Sequence, residues 1–255
     1  MQLNRFTVTS SLLPPEFDGM SIAVVSDLHN AVFGDDNEEL INMLKEADPD
    51  IIAITGDIVD SRRTDVDAAV SFAVQAAGTA PCYYVTGNHE ARIPQEQYNR
   101  LEKGLTDAGV IVLHNEQITV EKDGARLLIA GMDDPDYFSP TGALPGTASQ
   151  PDDTVLNNLI EPGSYNILLA HKPEYFNNYC TAGAQLVLSG HAHGGQFRLP
   201  FIGGLVAPGQ GLFPEYDSGL YEQGGTVMAV SRGLGNSIIP LRVNNRPEIM
   251  LITLG

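Results

Sequence analysis

Three short apolar runs in the first third of the chain each end in a residue able to hold a metal ion, at nearly constant spacing. Residues 21–27 (SIAVVSD) end in Asp27, residues 51–57 (IIAITGD) in Asp57, and residues 81–88 (PCYYVTGN) in Asn88, at intervals of 30 and 31. Parallel strands need a crossover between them, usually a helix. The intervening segments 38–47 (EELINMLKEA), 65–77 and 94–108 carry helical apolar spacing, and 110–115 (VIVLHN) reads as a fourth strand. This β-α-β-α-β-α-β order predicts a parallel sheet with right-handed crossovers. Ligands of such sheets bind beyond the carboxyl ends of the strands, so Asp27, Asp57 and Asn88 should meet at one rim.

The second half changes style. Segments 117–123 and 125–132 read as a hairpin around Asp123-Gly124. A Pro/Gly-rich loop over 133–150 precedes a helix near 152–160, a strand over 165–170, a helix after Pro173 and a strand over 184–189. Strands over 225–231 and 248–254 close the chain, and 4–9 reads as an edge strand. Two mixed sheets face to face, with helices outside, accommodate this order. No Pro/Gly/Ser-rich stretch resembles a linker, so 1–255 reads as one domain.

The later strands also end in candidate ligands: His171, and then Gly190-His191-Ala192-His193. Carboxylate, imidazole and amide oxygen suit Mn, Fe, Zn or Ni, and the absence of thiolate argues against a structural zinc site. Two ligands with one residue between them, as in Asp27-x-His29 or His191-x-His193, can point to one side of an extended segment. Each motif alone has a plainer reading. Asp27 could cap a helix, Gly87-Asn88 is a common turn, and a lone His171 is more often structural. Five such motifs at strand ends, in this order, are hard to obtain from caps and turns. Five of the six histidines lie in them, and His114 is left without a role.

The set Asp27-His29, Gly56-Asp57-Asp60, Gly87-Asn88-His89-Glu90, His171 and Gly190-His191-His193 resembles the complete motif pattern of the calcineurin-like metallophosphoesterases. The runs GHAHGGQFRLPFIGG and SRGLGNS are most similar to its bacterial phosphodiesterase branch of the YkuE and YaeI type. The resemblance implies an α/β fold, a four-layer α/β/β/α sandwich of two mixed β-sheets flanked by helices. It also implies two divalent ions, manganese favoured. Asp27, His29, Asp57 and His193 would hold one, and Asp57, Asn88, His171 and His191 the other, with Asp57 and a hydroxide bridging them. His89 would be the acid for the leaving group, its other ring nitrogen held by Asp60. Arg62 and Arg63, and less directly Arg232, could reach a substrate phosphate. The implied reaction is hydrolysis of a phosphoester, a phosphodiester first. A phosphomonoester, or the pyrophosphate of a lipid such as UDP-2,3-diacylglucosamine, is the alternative.

Composition narrows the partners. The net charge of −18 argues against nucleic acid, whose binding depends on basic residues. Two divalent ions would bring it to about −14 and create a local positive centre for a phosphate. Cys82 and Cys180 read as inert thiols. Residues 1–15 lack a signal-peptide pattern, and no apolar run is long enough to cross a bilayer, so the chain reads as cytoplasmic. The apolar, Gly/Pro-rich stretch 197–213 could form a lip for a lipid-linked substrate or rest peripherally on a membrane.

Overall fold

Ile22, Ala23, Val24 and Val25 are all fully buried, and the alternation of a strand divides them between two cores. Ile22 and Val24 pack into one apolar cluster, Ala23 and Val25 into another. A strand covered on both faces reads as a continuous hydrophobic run, which is what segments 21–25 and 51–54 are. Each fully buried Ile or Val contributes about 1.5–3 kcal/mol.

The computed structural model describes residues 1–138, 149–236 and 241–255. The first nine strands are β1 (Gln2–Val8), β2 (Ser21–Val25), β3 (Ile51–Ile54), β4 (Cys82–Tyr84), β5 (Ile111–Val112), β6 (Glu116–Lys122), β7 (Ala125–Met132), β8 (Asn166–Ala170) and β9 (Leu186–Ser189). Two-residue strands β10 (Arg198–Leu199), β11 (Gly203–Gly204), β12 (Val206–Ala207) and β13 (Gly211–Leu212) follow, then β14 (Gly219–Gln223), β15 (Thr226–Val230) and β16 (Glu248–Leu254). The helices are α1 (Glu38–Ala47), α2 (Val66–Ala77), α3 (Gln95–Asp107), α4 (Asp153–Leu159) and α5 (Phe176–Ala182). Asp65 caps α2 by accepting from the Ala68 N–H, and Asp152 caps α4 through the N–H groups of Thr154 and Val155.

Two six-stranded mixed sheets result, ordered β1-β16-β2-β3-β4-β5 and β14-β15-β9-β8-β7-β6. Strands β2 to β5 run parallel, as do β7, β8, β9 and β15. The cluster containing Ile22, Val24, Ile167, Leu169, Leu188 and Ile252 draws on both sheets. A second cluster joins the first sheet to α1, α2 and α3 through Leu44, Phe72 and Leu101. A third joins the second sheet to α4 and α5 through Leu156, Phe176 and Tyr179. The architecture is therefore the four-layer α/β/β/α sandwich.

Several elements differ from expectation. The strand expected over 110–115 is only Ile111–Val112, because Asn115 turns the chain at φ 52° into β6. Strand β14 has no sequence alternation, and it pairs with β15 across a Gly224-Gly225 turn with both φ positive. Strand β16 inserts antiparallel to β2 and parallel to β1. The stretch 197–213 is two small antiparallel ribbons, β10–β11 and β12–β13, rather than a plain loop. Of the loop expected over 133–150, a 3-10 turn occupies Pro135–Phe138, and 139–148 lie outside the described residues.

Candidate metal centre

The carboxyl ends of β2, β3 and β4 in one sheet, and of β8 and β9 in the other, converge on one point. Asp27, His29, Asp57, His191 and His193 all have positive φ, between 48° and 65°. Such conformations cost about 1–3 kcal/mol each for a residue other than glycine, and they cluster where function requires them. Backbone bonds hold them: the Asp27 N–H donates to the Gly56 carbonyl at 3.0 Å, and the His29 N–H to that of Asp57 at 3.0 Å. The two sheets meet where Gly190 lies on β2's end. A Cβ on Gly190 would stand 1.8 Å from Ser26 Oγ and 2.4 Å from Asp27 Oδ2, so only glycine fits.

The side chains form two linked groups, and a third set overlaps them, because donor atoms of His29, Asp57 and His89 also lie within 4.8 Å of one another. Asp27, His29 and His193 can bring their donor atoms within 4.8 Å of one another, and so can Asp57, His171 and His191. In the first, Nε2 of His193 is 3.4 Å from Asp27 Oδ1 and 3.1 Å from Nε2 of His29, a pair that a shared proton or a metal ion must join. In the second, Nδ1 of His191 is 3.2 Å from Nε2 of His171. One oxygen of Asp57 faces both groups: Oδ2 lies 3.7 Å from His29 Nε2 and 3.3 Å from His171 Nε2. Its other oxygen, Oδ1, accepts the His89 N–H at 2.7 Å.

The donor set fits metal ions. Asn88 Oδ1 is buried with no hydrogen-bond partner, a state costing about 1–3 kcal/mol that a cation relieves. His171 Nδ1 sits 2.7 Å from the Thr55 carbonyl, which holds its proton there and leaves Nε2 as a free donor. Burial pushes His29 down to about 4 and holds His191 and His193 well below the usual histidine range. Neutral imidazoles are what a metal requires. Burial pushes the Asp27 carboxyl up to about 6. His171 runs the other way. Burial opposes its charge, but the Asp57 carboxylate raises it to about 10 and is itself held well below the usual range. Thiols take no part: Cys82 is buried and pushed up to about 12, and Cys180 is half-buried.

The remaining expected residues are arranged differently from the sequence reading. His89 Nδ1 accepts from the Ser61 backbone N–H at 3.0 Å, whereas Asp60 Oδ1 stands 3.6 Å away. The nearer donor places the proton of a neutral ring on Nε2. Burial lowers the His89 pKa, although Asp57 and Asp60 oppose the shift. Asp60 is instead gripped by Arg62, whose Nε and Nη2 each donate to it at 3.0 Å. Arg63 is exposed. Arg232 lies 3.7 Å from Glu248 through Nε.

Three neighbours had no assigned role in the sequence. Glu90 accepts four backbone N–H groups, from Asp57, Gly87, Ile58 and Val59 at 2.7–3.3 Å, and so shapes the loops under the centre. It closes the Gly-Asn-His-Glu motif, which was the available signal. Arg242 lies behind His193, Nη2 to Nδ1 at 3.4 Å, and Glu174 lies 3.9 Å from His191 Nε2. Nothing local in the sequence marks either. His114 lies outside both groups, bound to Asp133 at 3.0 Å and to the Tyr98 hydroxyl at 3.2 Å.

Residues 20–195 match the calcineurin-like phosphoesterases, and the chain belongs to that family, whose members are metal-dependent hydrolases of phosphoesters. The chain is 33% identical to the Bacillus subtilis (strain 168) metallophosphoesterase YkuE, described as uncharacterized, over 100% of this chain and 85% of that protein. It is 28% identical to the Escherichia coli (strain K12) phosphodiesterase YaeI, over 82% of this chain and 72% of that one. Among solved structures, the protein TT1561 of Thermus thermophilus shares the fold with a TM-score of 0.54 and 15% identity, covering 84% of this chain and 90% of that one.

Proposed function

We propose that the chain hydrolyses a phosphodiester at a centre of two divalent ions, manganese favoured over iron, zinc and nickel. The observation that carries this is Asp57, whose single oxygen Oδ2 faces both donor groups. Asp27, His29, Asp57 and His193 would hold one ion, and Asp57, Asn88, His171 and His191 the other. When bound, such a pair supplies hydroxide at neutral pH and offsets charge developing on the phosphoryl oxygens. The likeness to a named phosphodiesterase, YaeI, supports the diester. Elemental analysis of the purified protein, joined to hydrolysis of bis-p-nitrophenyl phosphate and of the monoester with Mn, tests the reading. We expect two ions per chain and faster diester cleavage. A chain without metal or activity overturns it, and faster monoester cleavage overturns the diester preference.

His89 is the residue assigned to the leaving group. With Nδ1 taken by Ser61, its Nε2–H is the hydrogen it can offer to a phosphoryl or leaving oxygen. Asp60 and Arg62 then brace the Ser61 segment rather than binding phosphate. Arg63 keeps the role of a candidate phosphate contact. His89→Asn should lower kcat about a hundred- to a thousand-fold with metal content unchanged. Turnover near that of the wild type would remove the role.

One feature favours a lipid-linked phosphoester within this class. Phe201 and Ile202 at the tip of β10–β11, and Leu212 and Phe213 at the end of β12–β13, are exposed. Both ribbons are rooted beside the His193 turn, where the Leu205 N–H donates to the Gly195 carbonyl at 3.2 Å. Apolar tips at a site's rim suit the interface of a bilayer. The charge of −18 makes that surface zwitterionic rather than anionic. Co-sedimentation with phosphatidylcholine vesicles should hold the protein and lose it on Phe201→Ser. Equal sedimentation of the two, or none, excludes the contact.

A further inference from the structure

His191 faces the centre with Nδ1, the nitrogen 3.2 Å from His171 Nε2. A neutral imidazole that gives Nδ1 to a metal carries its proton on Nε2, and a ligand histidine almost always passes that proton to an acceptor. The carboxylate oxygen facing Nε2 is Oε1 of Glu174, at 3.9 Å. Glu174 sits in the 3-10 turn Pro173–Tyr175, just after ligand His171.

The surroundings of Glu174 make this pairing specific. Both its carboxylate oxygens are buried and have no hydrogen-bond partner, an expensive state for a charge. The adjacent ammonium of Lys172 is committed elsewhere, at 3.1 Å from Asp134 Oδ1 and 3.1 Å from Asp136 Oδ2. Gly209, in the turn between β12 and β13, closes over the carboxylate. A Cβ there would stand 2.2 Å from Oε1, so glycine allows the ribbon to lie against the oxygen. Among the described residues, Glu174 belongs to none of the groups able to hold a metal.

We propose that Glu174 is a positioning residue that accepts the His191 Nε2 proton and fixes the tautomer presenting Nδ1 to the metal shared with His171. The proposal rests on the two-metal reading above. It follows that Glu174 acts on metal retention through His191, and on turnover only by way of the metal.

Metal-stripped wild type, E174Q and E174A, titrated with Mn²⁺ against a chromophoric chelator, give stoichiometry and a Kd for each site without any activity measurement. The wild type should bind two equivalents. E174A should bind one of them about 10–100-fold more weakly, the usual cost of losing such a partner. E174Q keeps a carbonyl acceptor at the same reach and should recover most of that loss. It also decides the matter should the melting curve of E174A show a misfolded protein. Two equivalents at wild-type affinity in both variants, or equal losses in both, overturn the role of Glu174 alone. A wild type that binds no metal overturns the role together with the reading beneath it.

Discussion

Asp57→Asn should leave a folded protein that has lost at least one metal ion and hydrolyses its substrate about a thousand-fold more slowly or worse. The reasoning starts from the two oxygens of Asp57. Oδ2 faces His29 and His171, one from each donor group, and Oδ1 accepts the His89 N–H. An amide cannot serve both sides. If its oxygen takes the Oδ1 position, an NH₂ group points at the imidazole nitrogens and excludes a cation. If its oxygen takes the Oδ2 position, the NH₂ group opposes the His89 N–H and displaces the loop carrying Asn88 and His89. Either way, on the proposed two-metal reading, one negative charge is lost between the ions. Loss of a partner outside the coordination shell already costs about 10–100-fold in affinity or activity, and a shared ligand acts on both ions at once. Elemental analysis after dialysis and diester turnover are the measurements. A variant that keeps two ions and turnover within about tenfold of the wild type would show that Asp57 is not shared.

The spacing of Asp27, Asp57 and Asn88 is legible because parallel strands impose a crossover, and each crossover takes a similar length of chain. Position along the chain therefore maps onto position along the rim. The same logic reaches His171, His191 and His193 in the second sheet, since each follows a buried run. What it cannot reach are contacts set by backbone groups and by packing between distant segments. The bond from Ser61 N–H to His89 Nδ1 has no sequence signature, because any residue supplies an N–H. Sequence reasoning therefore gives Asp60 the place that a main-chain donor occupies. Arg62 follows Asp60 closely enough to fold back onto it, so an apparent phosphate ligand is committed to a carboxylate. Strand β16 is visible as a strand, but its insertion between β1 and β2 is a tertiary choice. Strand β14 could be found from Gly224-Gly225, which suits a two-residue hairpin turn, yet GLYEQ lacks the alternation that marks a half-buried strand. Arg242 and Glu174 come from segments that meet the centre only after folding.

The positive φ of Asp57 raises the question of what holds that strained turn, and Glu90 supplies the answer. Its Oε2 accepts the N–H groups of Asp57 and Gly87 at 2.8 and 2.7 Å, and its Oε1 those of Ile58 and Val59 at 2.9 and 3.3 Å. Two strand-end loops are thus tied to one buried carboxylate. Burial and the nearby Asp57 charge raise that carboxyl to about 8, against the amides that favour its ionised form. Glu90→Ala strands four buried donors, each worth about 1–3 kcal/mol when unpaired. Water entering the cavity offsets part of this, so the net loss should be about 3–5 kcal/mol. At roughly 2–4 °C per kcal/mol for a chain of this size, Tm should fall by roughly 6–20 °C. Glu90→Gln keeps the shape but sets an NH₂ group against N–H donors, so it should fall between alanine and the wild type. Metal content should drop along with Tm, because the turn being released is the one that aims Asp57 and Asn88. A reacting group would behave otherwise: Glu90→Gln would then lose turnover while melting and binding metal like the wild type. Thermal melts and elemental analysis of both variants distinguish the two cases, and unchanged melting with unchanged metal in Glu90→Ala would exclude the bracing role.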